Sequence, residues 1–302
     1  MLATPEKPLT SVTVARLADV VAALDELYDP RWAQSWDAVG LVCGDPDAAV
    51  GRVLFAVDPV ATVVDEAIGW RADLIVTHHP LFLTPVHGVP ATTPKGRVVH
   101  RLVAAGIALH VVHTNADSAD PGVSDALAMA LGLVDLRPLD PATDDPSGRR
   151  GLGRLGRLPA PESLETFVER AAAALPYTAA GLRVAGESGR EINTVAVCGG
   201  AGDSLLDTAR RAHADVYLTA DLRHHRASEA LEAGGPALVD AAHWATEWPW
   251  LPEAARKLAD RLAAGGTTVE THISSTVTDP WVAAHVSSAE PYARRTTQRR
   301  QR

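Results

Sequence analysis

Short apolar runs that alternate with helix-period stretches, and two distant segments that answer each other, predict an α/β protein. It is expected to consist of two pseudo-duplicated α/β halves with mostly parallel sheets forming one compact fold. The strand candidates come in order at Arg52 to Asp58, Leu74 to Thr77, Ala108 to His113, Thr194 to Cys198, Val216 to Thr219 and Ala237 to Asp240. Helical patterns fall between them at Thr62 to Trp70, Gly96 to Ala105, Ser204 to His213, Ala227 to Ala233 and Pro252 to Ala264, with Gly106 and Gly265 placed as helix C-caps. The internal repeat supplies the duplication. ADLIVTHH is answered by ADVYLTADLRHH, which sets Thr77 and Thr219 142 positions apart, and GIALHVVHTNAD is answered by GPALVDAAHWATE. Asp, Pro and Gly over Leu139 to Gly151 mark the expected boundary. The predicted organisation is a flexible start over 1–11, a first half over 12–138, a linker over 139–151, a second half over 152–274 and a basic, flexible tail over 275–302.

Composition narrows the function. Of 302 residues, 46% are hydrophobic and 22% charged, which fits a globular chain rather than a disordered one. The formal net charge of -9 argues against nucleic-acid binding, which neutralises phosphates with basic surface. Cys43 and Cys198 are too few and too far apart for a disulfide framework or a zinc ribbon. No apolar run of membrane-spanning length occurs, and no charged-then-apolar leader is visible, so a cytoplasmic location is expected.

The chemistry sits at strand ends, where open α/β sheets place ligands. His78 and His79 close an apolar strand ahead of Pro80, and neighbours on an extended strand point to opposite faces. An adjacent pair therefore suits two metal ions, or one ion and an orienting group. His113 with Asp117 and His243 with Glu247 repeat a His and an acid four residues later at equivalent places in the two halves. Imidazole and carboxylate are ligands shared by Zn, Mn, Fe, Co and Ni, and carboxylates can bridge two ions about 3.5–4 Å apart. Asp117 and Glu247 are the bridging candidates. In TADLRHH, Asp221 and His225 are expected beside the ligands or against substrate, with His224 and His225 standing as the second half's displaced counterpart of the first His pair. The turn CGGAGDS offers backbone amides at Gly199, Gly200 and Gly202 to an anionic group. Trp244, Trp248 and Trp250 suit either stacking on a base ring or a subunit interface.

Taken together, WDAVGLVCGD (Trp36 to Asp45), THHPLF (Thr77 to Phe82), HTNADSADPGVSDALA (His113 to Ala128), CGGAG, TADLRHH and AHWATE resemble the NIF-three-like dinuclear metal centre family. Its members are commonly labelled GTP cyclohydrolase I type 2 homologues. The resemblance implies two divalent ions per chain on His78, His79, Asp117, His243 and Glu247, with His113 beside the site, and a toroidal homohexamer. It implies a metal-dependent hydrolase of a nucleotide-like substrate; the alternative is a non-catalytic metal carrier, store or regulatory scaffold. Ala38 and Ala242 depart from the family's usual Asn and Gly, while the ligand positions are intact.

Overall fold

The computed structural model describes residues 13–285; the expected flexible start over 1–11 and the tail beyond 285 lie outside them. Two sheets carry the fold. The first has five strands in the order Glu270–Ile273, Arg52–Ala56, Leu74–Thr77, Ala108–Val111, Gly40–Cys43, the last antiparallel and the others parallel. The second has six, in the order Val134–Pro141, Gly151–Ser163, Glu191–Ala201, Val216–Ala220, Ala237–Ala241, Arg183–Ala185, of which Glu191–Ala201, Val216–Ala220 and Ala237–Ala241 run parallel. Every expected strand is present within a few residues of its expected span. The expected helices are present too, at Ala61–Trp70, Pro94–Ala105, Leu206–Arg211, His224–Glu232 and Trp250–Ala264. Gly106 ends its helix in the left-handed conformation as a C-cap glycine does, whereas Gly265 stays right-handed.

The duplication is physical as well as verbal. In each half an Asp ahead of a parallel strand accepts two backbone N–H groups from the start of its neighbour. Asp73 takes those of Gly51 and Arg52 at 2.7 and 2.8 Å, and Asp215 takes those of Asn193 and Thr194 at 2.9 and 2.8 Å. These acids stand 142 positions apart, the same offset as Thr77 and Thr219. That register gives His79 the counterpart Asp221, not His224 or His225, which open the next helix.

The halves are not divided where composition suggested. Strands Val134–Pro141 and Gly151–Ser163 pair antiparallel, Asp140 opposite Leu152, so the expected linker is largely a hairpin inside the second sheet. Its turn is held by Asp145, whose carboxylate accepts from the amides of Ser147, Arg149 and Arg150. Asp, Pro and Gly mark a tight turn and a linker alike. The chain beyond the AHWATE motif also leaves the second half. Strand Glu270–Ile273 lies parallel to Arg52–Ala56, and helix Trp250–Ala264 buries Leu251, Leu258 and Leu262 in one core with Val20, Leu24 and Phe55. The start of the expected tail is tied down: Thr276 donates to Glu66, and Thr278 to Asp58.

Candidate metal centre

The C-terminal ends of parallel strands from both sheets converge on one cluster of imidazoles and carboxylates. His78 and His79 follow strand Leu74–Thr77 directly, and the Thr77 hydroxyl donates to the His79 carbonyl at 2.9 Å. His113 and His243 each open a single helical turn, Thr114–Ser118 and His243–Glu247, which sets Asp117 and Glu247 one turn on from their histidines. His78 and Glu247 are buried, while His79, Asp117 and His243 are partly exposed.

Each imidazole is anchored through Nδ1. His78 donates to the Val112 carbonyl at 3.1 Å, His79 to Asp58 at 2.7 Å, His113 to Asp37 at 2.8 Å and His243 to Asp221 at 2.7 Å. With Nδ1 carrying the proton, Nε2 presents a lone pair, and this outer anchoring is the usual way proteins aim metal-binding histidines. The Nε2 atoms gather around Glu247. His78 Nε2 lies 3.4 Å and His243 Nε2 2.9 Å from Oε1, and His79 Nε2 lies 3.1 Å from Oε2. His79 and His243 bring their Nε2 atoms within 3.2 Å of each other, and Asp117 Oδ1 stands 3.8 Å from His78 Nε2. Glu247 Oε2 is buried without a hydrogen-bond partner. Acceptors facing acceptors at this range repel unless a cation lies among them. The donor atoms of His78, His79 and His113, and those of His79, His243 and Glu247, each fall within 4.8 Å of one another, so His79 is shared by two overlapping groups.

The proton affinities show the same need for positive charge. Burial disfavours the imidazolium of His79, but Glu247 and Asp58 outweigh it and raise its pKa to about 11. Burial is likewise outweighed at His243 by Glu247 and Asp221, giving about 9, and at His78 by Glu247 and Asp117. Burial pushes Asp117 up. Against its own burial, the surrounding histidines hold Glu247 well below the ordinary carboxylate range.

Of the expected ligand positions, His78, His79, His243 and Glu247 fall in these groups together with His113, whereas Asp117 approaches only to 3.8 Å from His78 and Asp221 holds the ring of His243. His225 does not join them: it is exposed on helix His224–Glu232, its ring packed 5.2 Å from His224. The anion cradle is also corrected at Gly199 and Gly200. The amide of Gly199 is given to Ser124 Oγ and that of Gly200 to Thr246 Oγ1, while the carbonyl of Gly202 accepts from Tyr217. Gly200 serves the cluster by being small. At φ +69° a Cβ there would stand 2.5 Å from Glu247 Oε1 and 3.1 Å from His243 Nε2. Trp244 and Trp250 are core residues, Trp250 donating to the Tyr28 hydroxyl at 3.2 Å, and Trp248 donates to the Ser274 carbonyl. Neither a base nor a second subunit is needed to explain them. Sequence reasoning assigned no role to Asp37 or Asp58. The signal for Asp58 is its place just past strand Arg52–Ala56 in the same sheet; that for Asp37 is its place in the WDAVG motif.

Paired sheets of repeated topology, with a histidine and carboxylate cluster where their strand ends meet, define an α/β protein with a candidate metal centre. A family model, Duf34/NIF3 (NGG1p interacting factor 3), matches residues 15–280, and the chain belongs to this family. A Streptomyces coelicolor relative named GTP cyclohydrolase 1 type 2 homolog is 57% identical over 274 residues, covering 91% of this chain and 96% of its own. A Bacillus cereus protein related to NIF3 shares the fold at a TM-score of 0.84 and 23% identity, over 90% of this chain and all of that one. A Staphylococcus aureus hypothetical protein does so at 0.81 and 27%, over 90% and 100%.

Proposed function

We propose that the cluster holds two divalent metal ions through His78, His79, Asp117, His243 and Glu247, and that the centre hydrolyses a nucleotide-like substrate. The observation that carries the metal reading is the set of anchored imidazoles whose free Nε2 atoms converge on a buried carboxylate with an unpartnered oxygen. The donor set fits: nitrogen and carboxylate ligands suit Zn, Mn, Fe, Co and Ni, and five residues exceed what one tetrahedral ion takes. When bound, such ions polarise an electrophilic carbon or phosphorus centre and make water nucleophilic near neutral pH. The chain's own part is orientation. Asp58, Asp221 and Asp37 hold three rings by Nδ1, and Gly200 leaves room for the Glu247 carboxylate. The name carried by the Streptomyces relative supports the nucleotide-like substrate.

Elemental analysis of protein purified without chelator should find about two transition-metal ions per chain. Asp117→Asn should lower that content, whereas Asp120→Asn should not, since Asp120 is paired with Arg149 outside the cluster. Equal losses would sink the ligand assignment. Activity is tested against GTP, other nucleotides and simple phosphoesters, with each metal supplied separately. Turnover that survives His78→Ala at full rate would remove the reaction from this centre. Rapidly exchanging metal with no turnover across the panel would favour the carrier.

Assembly as a toroidal homohexamer, with the sites facing a common cavity, belongs to the same reading. Trp36 is 57% exposed with its ring 6.1 Å from that of His113, which puts apolar surface at the mouth of the site. Light scattering should give about six times the 31.8 kDa of one chain. A cytoplasmic location suits the two free cysteines, and among the described residues no helix is long and apolar enough to cross a membrane.

Thr278 supplies a further check. Its hydroxyl donates to the Asp58 oxygen that His79 does not use, so the chain beyond the last strand helps to aim a ligand. Thr278→Val should weaken metal binding about tenfold, as loss of an outer partner does, and Thr278→Ser should restore it. Unchanged affinity in the valine variant would mean that Asp58 holds His79 unaided.

A further inference from the structure

We propose that the cleft next to His79 receives a phosphate group of the substrate, with Lys95 and Arg97 as the residues that bind it. The inference rests on the metal-centre reading for its substrate but on separate residues for its evidence. The cleft encloses about 560 Å³, within the range of small-molecule sites, and His79 and Asp58 form part of its wall, so a ligand in it lies against the cluster. Lys95, Arg97 and Arg101 line the same cavity, in a chain whose formal net charge is -9.

Their charge is mostly unspent. Arg101 pairs with Asp65, but among the described residues neither Lys95 nor Arg97 has a carboxylate within ion-pair distance. Arg97 gives only its Nε, to the Ala91 carbonyl at 3.3 Å, which leaves the terminal guanidinium nitrogens free. Asp58 lines the same cavity with its oxygens turned to His79 and Thr278. Leu81 and Val98, 3% and 5% exposed, give the cavity an apolar flank, beside which charge is less screened than in open water. A guanidinium fork and an ammonium fit a multiply charged, three-oxygen group better than a carboxylate. The glycine turn that the sequence suggested for anions has spent its amides at Gly199 and Gly200 elsewhere.

The test uses the metal-loaded full chain with phenyl phosphate as probe, benzoate as its carboxylate counterpart and phenol as the neutral one, metal content being measured on every sample. Wild type should bind phenyl phosphate with an affinity that falls with added salt, and benzoate and phenol distinctly more weakly. Lys95→Ala/Arg97→Ala should weaken phenyl phosphate at least about tenfold with metal content unchanged, and Lys95→Arg should bind as wild type does. Both side chains are exposed, their contacts within the protein being the Ala91 carbonyl for Arg97 and the Phe82 ring for Lys95. Phenyl phosphate affinity within twofold of wild type in the double variant would overturn the cleft, as would no binding to wild type. Benzoate bound as tightly as phenyl phosphate would overturn the phosphate assignment. A wild type that retains no metal after loading, yet binds the probe through Lys95 and Arg97, would instead sink the metal centre and leave the cleft standing.

Discussion

Glu247→Gln is expected to abolish metal-dependent turnover and to lower metal affinity by more than about 100-fold, beyond what loss of an outer partner costs. The variant keeps the side chain's shape in a position where shape is already constrained by Gly200. What it removes is the negative charge on which His78, His79 and His243 converge within 3.4 Å. An amide also has a donor end, which would meet at least one Nε2 lone pair and occupy it. Calorimetric titration of the chelator-treated variant with Zn and Mn, beside wild type, measures the loss. Affinity within a few-fold of wild type would show that Glu247 is not a ligand.

The same carboxylate governs how binding depends on pH. Without metal, protons supply the positive charge, His79 holding one up to about pH 11 and His243 to about 9. Metal must displace them, so wild-type affinity should climb as pH rises through about 9. The metal-free fold should move the other way. His79 is raised above its ordinary 6.5, so its contribution to stability is complete below that value and is lost as pH rises towards about 11. Glu247 is depressed below its ordinary 4.5, so its contribution is present above that value and is lost on acidification. Metal-free wild type should thus be most stable between those limits, and Glu247→Gln should flatten both the stability profile and the pH dependence of metal binding. Thermal melts across pH decide it; a metal-free wild type that gains stability from pH 7 to 10 would contradict the assignment.

What could be read in advance follows from the range of each interaction. Strands such as Leu74–Thr77 and Val216–Ala220 are signalled by their own apolar residues, all buried, and the candidate metal-binding residues by recurrence of a His and an acid at strand ends. The partners that orient the cluster come from elsewhere: Asp37 reaches His113 across 76 positions, and Thr278 reaches Asp58 across 220. No local pattern encodes such a pairing. The glycine turn is ambiguous in sequence for a related reason. A Gly-rich stretch after a strand can expose its amides or make room for a packed side chain, and here Ser124, Thr246 and Glu247, all distant in sequence, decide for the second. Trp250 near His243 likewise has its buried partner, Tyr28, 222 positions away in sequence.

Arg154→Ala is expected to destabilise the protein by about 3–5 kcal/mol, the usual result of removing one partner of a buried ion pair. Arg154 is 1% exposed on strand Gly151–Ser163 of the second sheet. Its guanidinium meets both oxygens of Asp125 at 2.7 and 2.6 Å, and donates to the carbonyls of Gly151 and Gly153 at 2.8 Å and of Ala119 at 2.6 Å. Ala119 ends the helical turn that carries Asp117, and Asp125 lies on the following helix, so one side chain ties the second sheet to the loop behind the candidate metal centre. Alanine would leave a buried carboxylate without its counter-ion, with only the Gly122 N–H still donating to it, and would remove the donor that three carbonyls share. The midpoint of thermal unfolding should fall on the order of 10 °C, with a matching shift in the urea midpoint at unchanged slope. A paired replacement separates charge from packing: Arg154→Met with Asp125→Leu removes both ions and should recover more than half of the loss, because the largest part of it is the stranded carboxylate. Were Arg154→Ala to lose less than about 1 kcal/mol, Asp125 would have to find water or a proton at no cost, and the ion pair would not be what joins the second sheet to this loop.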